Sequence, residues 1–137
     1  HILKGIEIYK GKVIFHGLCN FVAWLPLLAP KPNQDPLSWA KRRRDLFGFE
    51  PDPEYLTYPF HPEAKYTIIA KCTVEDRKIA QTSYIPCLVN KQGQPEVLKR
   101  DTRGQEVFDY VDKITRAANL NARFEWKGDE VLVHADT

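Results

Sequence analysis

The sequence contains no methionine, no C-x-x-C pair, no long apolar run and almost no excess of either charge. Each absence excludes something. Cys19, Cys72 and Cys87 are odd in number and widely spaced, so they form neither a disulfide framework nor a zinc pattern. They read as buried thiols, because free cysteine behaves as a small hydrophobe. The longest apolar run, Phe21–Ala29, is broken by Pro26 and falls short of the ~18 residues of a membrane-spanning helix. No transmembrane segment is therefore expected. Lys and Arg number 20 against 18 Asp and Glu, a net charge of +2. That balance excludes capture of nucleic acid by net charge alone, so no nucleic-acid partner is expected. The lack of methionine, with histidine first, is read as a chain cut from a longer protein.

What remains is the composition of a folded domain, 43% hydrophobic and 28% charged. Ile6 and Ile8 alternate with Glu7 and Tyr9, and Lys10-Gly11 supplies a turn before Val13 and Phe15. This predicts a β-hairpin within residues 2–21. Asp35-Pro36 opens a helix with an N-cap followed by proline at the first helical position, and Gly48 closes it. On that helix Trp39, Arg43 and Phe47 share a face. Residues 49–62 carry four prolines and several aromatics and should be an extended, packed loop. A second hairpin is expected over Tyr66–Val74 and Lys78–Val89, with Pro86 marking a strand end, an edge or a bulge.

Thr102–Leu120 has the strongest helical signature. Thr102 and Gln105 fit a capping box, and Val107, Tyr110, Val111, Ile114 and Ala118 form one apolar stripe. A third hairpin follows around Lys127-Gly128-Asp129. Hairpins with inserted helices predict a mixed α/β fold with largely antiparallel strands.

Chemistry-bearing residues are few. His1, His16, His61 and His134 have no metal-ligand spacing among themselves. His16 and Cys19, three residues apart, read as packed residues rather than as a thiol–imidazole pair. The run Lys41-Arg42-Arg43-Arg44 suits either a solvated helix face or the binding of an anion through Arg42 and Arg43. Phosphate loops, dinucleotide fingerprints and nucleophile elbows are missing.

The opening segment is more specific. His1-Ile-Leu3-Lys-Gly5-Ile6-Glu7-Ile-Tyr9-Lys-Gly11-Lys12-Val-Ile14-Phe, then Leu18-Cys19-Asn20-Phe21, resembles the C-terminal part of the bacterial poly-γ-glutamate capsule biosynthesis (CapA-type) family. That family has a similar H-x-L-x-G-x-E-x-Y-x-G-K-x-I followed by L-G-N-F. It is related to the calcineurin-like metallophosphoesterases, which are two-sheet α/β sandwiches with a metal centre at the sheet edge.

The resemblance is strong over His1–Phe21. Beyond it, only the order of elements agrees. It implies that His1 is a ligand of a divalent metal that activates water. It implies that Asn20 belongs to the catalytic site, as a structural residue or against substrate. Gly5 and Glu7 match fold-defining positions. Cys19 stands where the family has glycine, so a positive φ there would cost about 1 kcal/mol or more. The family's aspartate, asparagine and earlier histidine ligands are not in this sequence, and an upstream segment of the same protein is the partner expected to supply them.

The function so implied is that of a metal-dependent hydrolase on an anionic or peptide-like substrate of poly-γ-glutamate type, or a supporting role in capsule polymer synthesis. Residues 25–62 would form a variable cap, with Arg42 and Arg43 shaping substrate choice. Residues 66–134 would complete the domain. The alternative is a non-catalytic binding or assembly module that uses an exposed aromatic loop, Tyr55–Phe60, as its contact surface.

Overall fold

Three β-hairpins and two α-helices organise the described residues. A computed structural model describes residues 1–135. The first hairpin pairs β1 (Ile6–Tyr9) with β2 (Lys12–Phe15), and Lys10 and Gly11 both take positive φ at its turn. After a short 3-10 turn at Pro26–Leu28 comes helix α1 (Pro36–Phe47). The Asp35 carboxylate accepts from the Ser38 amide, and Gly48 ends the helix at a φ of 78°, as expected for a left-handed stop.

The second hairpin joins β3 (Tyr66–Glu75) to β4 (Lys78–Val89). The register slips near the turn, from Thr73 opposite Gln81 to Val74 opposite Ile79, so Ala80 is an extra residue. A short β5 (Pro95–Val97) adds to β4, helix α2 spans Thr102–Ala117, and β6 (Ala122–Lys127) and β7 (Glu130–Ala135) close the chain. The larger sheet runs β3-β4-β7-β6 with β5 beside β4, and every pairing is antiparallel. The fold is the mixed α/β class that the patterning predicts.

Helix α2 covers one face of this sheet. Val107, Tyr110 and Val111 pack on Ile68, Tyr84, Leu98, Ala122, Val131 and Val133, with Leu3 and Ile6 of the first segment joining the same core. On the other face, Lys71 pairs with Glu130 at 2.5 Å and Ser83 donates to Glu130 at 3.0 Å. The Lys71 hydrogen bond holds the Glu130 carboxyl below its ordinary value.

Several expectations need correction. The N-cap of α2 is Asp101, whose side chain accepts from the Gly104 amide, not Thr102. Gln105 is diverted from the capping box and accepts from the Trp126 indole at 3.0 Å. The apolar stripe of α2 is interrupted by Thr115, which is fully buried, while Ala118 is exposed.

Pro86 lies inside β4 rather than at an end. Its carbonyl accepts from the Leu98 amide, so its missing N–H faces the same side. That side is the break between the β7 pairing at Ser83 and Tyr84 and the β5 pairing from Cys87. No ladder bond is lost there. Among the cysteines, Cys87 is buried and Cys19 partly buried, but Cys72 is exposed on β3. Burial pushes the Cys87 thiol up to about 11.

Two glycines are fixed by crowding. A Cβ on Gly104 would lie 1.9 Å from the Lys99 carbonyl oxygen, and one on Gly5 would meet Leu120 at 2.8 Å and the Thr115 backbone at 3.0 Å. Gly5 thus sets how closely the first hairpin approaches α2.

Candidate functional site

The segment leaving β2 turns sharply. Leu3 bridges Leu18, and the Lys4 amide donates to the Gly17 carbonyl, which returns the chain to its start. Cys19 and Phe21 then take positive φ, 69° and 50°. This double kink aims the Asn20 side chain back at His1.

The His1 Nδ1 lies 2.5 Å from Asn20 Oδ1. The amide nitrogen of Asn20 donates the other way, to the His1 carbonyl and to the Tyr58 hydroxyl, both at 3.4 Å. An amide oxygen only accepts, so the proton sits on Nδ1. In the neutral ring this leaves the Nε2 lone pair free. The imidazole stacks on Phe60, with ring centroids 5.4 Å apart and planes inclined by 21°.

Behind this pair lies a small buried cluster of Tyr58, Ala64 and Val89. The Tyr58 hydroxyl donates to the Ala64 carbonyl at 2.8 Å, and the Cys19 thiol donates to the same oxygen at 3.1 Å. Burial pushes the Tyr58 hydroxyl well above its ordinary range, so it stays protonated and keeps donating at any ordinary pH. Tyr58 is only 2% exposed. Of the Tyr55–Phe60 loop, Tyr58 is thus packed inward, while Tyr55 and Phe60 are half-buried.

In front of His1 is a groove of about 450 Å³ lined by Leu25, Leu28, Phe47, Phe49 and Phe60, with His1, His61 and Arg43 as its polar members. Helix α1 forms one wall. It is strapped to the Pro26–Leu28 turn because the Trp39 indole and Arg43 Nη2 both donate to the Leu28 carbonyl, at 3.0 and 2.9 Å.

The structure thus gathers three of the four residues singled out in the sequence. His1 and Arg43 line one groove, and Asn20 is bonded to His1. Arg42 stands apart: it is exposed and does not line the groove. One step along a helix turns a side chain by about 100°, which separates Arg42 from the Trp39–Arg43–Phe47 face. His61 is used locally, its Nδ1 accepting from the Glu63 amide. His16 bonds Glu7 at 2.8 Å, and no hydrogen bond joins it to Cys19.

Tyr58 and Phe60 enter the sequence reading only as members of the Tyr55–Phe60 loop, and Phe49 is not a candidate site residue there. Their signal is the proline-rich aromatic stretch itself, which fixes that a loop packs but not against what. His1 suits a divalent metal, since a ligating histidine normally donates its second N–H to a neighbouring oxygen, as Nδ1 does here. Among the described residues, no group of three or more His, Cys, Asp and Glu is placed to hold one. None of the helices among the described residues is long and apolar enough to cross a membrane. No protein-family model matches the chain, and no curated protein matches it.

Proposed function

We propose that the chain is the C-terminal part of a CapA-type, metallophosphoesterase-like hydrolase acting on an anionic or peptide-like substrate. One observation carries this reading. His1 and Asn20, the two residues that the resemblance assigns to the site, are hydrogen-bonded to each other across 19 positions of sequence.

His1 would hold the metal through Nε2. The remaining ligands would come from residues outside these 137. A divalent ion so placed lowers the pKa of water and polarises a phosphoryl or amide oxygen. The chain's own residues do the rest. In the neutral ring Asn20 Oδ1 holds the proton on Nδ1, which leaves the Nε2 lone pair to face a metal. Phe60 fixes the plane of the ring. Tyr58 and the His1 carbonyl hold the Asn20 amide in the orientation this requires. Arg43 offers a pinned guanidinium to an anionic substrate.

The test measures metal content together with phosphodiesterase and amidase turnover, in this chain and in a form extended upstream of His1. The extended form should hold stoichiometric metal and turn over substrate. His1→Gln should abolish both, and Asn20→Ala should weaken metal affinity by roughly 10- to 100-fold, as loss of an outer-shell partner does. Absence of metal from both forms overturns the proposal.

A further inference from the structure

The groove before His1 combines features that together specify a ligand. Its walls are aromatic and aliphatic, and its volume of about 450 Å³ lies within the roughly 300–1,000 Å³ of small-molecule sites. Phe47 is 59% exposed and Leu28 40%, so apolar surface there stands open to water.

Among the described residues, Arg43 is the one arginine or lysine that lines this surface. The Arg43 guanidinium lies 5.7 Å from the Trp39 ring and 5.5 Å from the Phe47 ring, with Nη2 tied to the Leu28 carbonyl. Its neighbour Arg44 is neutralised by Glu50 at 3.3 Å and lies near Asp45 at 4.0 Å. Arg43 has only a carbonyl and two rings, and no carboxylate pairs with it among the described residues. A guanidinium held in place beside apolar walls favours an anion more than one that moves freely in water, because the effective dielectric is lower and its orientation is already set.

We propose that this groove binds a small amphipathic anion: a single carboxylate, sulfonate or phosphate ester on Arg43, attached to a flat aromatic or alkyl body that lies along Phe47, Phe49 and Phe60. A ligand with a row of charges fits less well. Only Arg43 of the basic run lines the groove, and the remaining wall would desolvate further charges without a partner. Calling the ligand a substrate rests on the hydrolase reading. Binding itself rests on the groove alone.

The test is calorimetric titration of the form extended upstream of His1, alongside the 137-residue chain, with naphthalene-2-sulfonate, with the near-isosteric neutral naphthalene-2-sulfonamide, and with inorganic sulfate. The sulfonate should bind one per chain, about tenfold or more tighter than the sulfonamide, as one charge-assisted contact provides. Sulfate should bind far more weakly than the sulfonate. Arg43→Met should erase the preference for the anion, and Arg42→Met should keep it.

Arg43 also holds the Leu28 turn, so Phe47→Ser supplies a second variant that leaves that bond intact. It should weaken both naphthyl probes alike. Equal affinity for the two naphthyl probes overturns the proposal, as does a preference that survives Arg43→Met, sulfate binding as tight as the sulfonate, or tight binding that ignores Phe47→Ser. The readout needs neither metal nor turnover, so its failure leaves the hydrolase reading standing, and failure of that reading leaves this one.

Discussion

Cys19 adopts a φ of 69°, in the left-handed region where a Cβ costs about 1–2 kcal/mol. Glycine adopts such a φ without that cost. The thiol offsets part of the cost, since it donates to the Ala64 carbonyl and lies 3.7 Å from the Tyr58 hydroxyl. Two substitutions separate these effects. Cys19→Ala keeps the strained backbone and loses the thiol contacts, whereas Cys19→Gly loses the same contacts and removes the strain. Cys19→Gly should therefore be the more stable of the two by about 1 kcal/mol in urea unfolding, after the extra freedom of glycine in the unfolded chain is deducted. The reverse order would mean that backbone conformation does not govern this position. Thr115 shows the opposite kind of legibility. Its hydroxyl accepts from the Ile6 amide at 3.2 Å in the core. In the sequence it reads as a polar break in an apolar stripe, because the donor lies 109 positions away.

Among the elements, the hairpins were legible because their turns are local. Lys10-Gly11, Asp76-Arg77 and Gly128 all supply positive φ next to alternating strands. Helix α1 was legible at both ends for the same reason. The start of α2 was not, since Asp101 and Thr102 are both good caps by composition. What decides between them is that the Lys99 carbonyl crowds Gly104, so the chain is already extended at Asp101, with φ of −131° and ψ of −168°. Asp101→Ala should consequently cost about 1 kcal/mol, the usual loss for a missing N-cap, and Thr102→Ala only a few tenths. Thermal or urea unfolding of the two single variants checks this. An equal cost would restore the capping box of Thr102 and Gln105. Strand β5 had no periodic signal to find, being three residues long and placed by its partner β4.

At the scale of the molecule, the sequence could show that residues 1–21 hold a hairpin, but not what holds that hairpin in place. A two-stranded ribbon is marginal alone in water. Here it joins the larger sheet through side chains rather than through strand pairing. The Ile8 amide donates to Asn121 Oδ1 at 2.8 Å, and Asn121 Nδ2 donates to the Ile8 carbonyl at 3.0 Å, so one side chain completes both outward groups of Ile8. Asn121 reads in the sequence as a helix exit, a role that Asn119 fills with its φ of 54°. Asn121→Ala removes both bonds, each worth about 1 kcal/mol net. The hairpin should then open without the rest. Amide exchange at Glu7, Ile8 and Tyr9 should accelerate by about tenfold or more, while amides in the middle of the β3–β4 ladder keep their protection. His1 and Asn20 flank that hairpin, so their hydrogen bond should loosen with it. The readout is a shift of the His1 ring resonances toward those of an Asn20→Ala variant. If β3 and β4 exchange in step with β1, the chain opens as one cooperative unit. The His1–Asn20 corner would then be only as stable as the whole fold, with no separate hinge at Ile8.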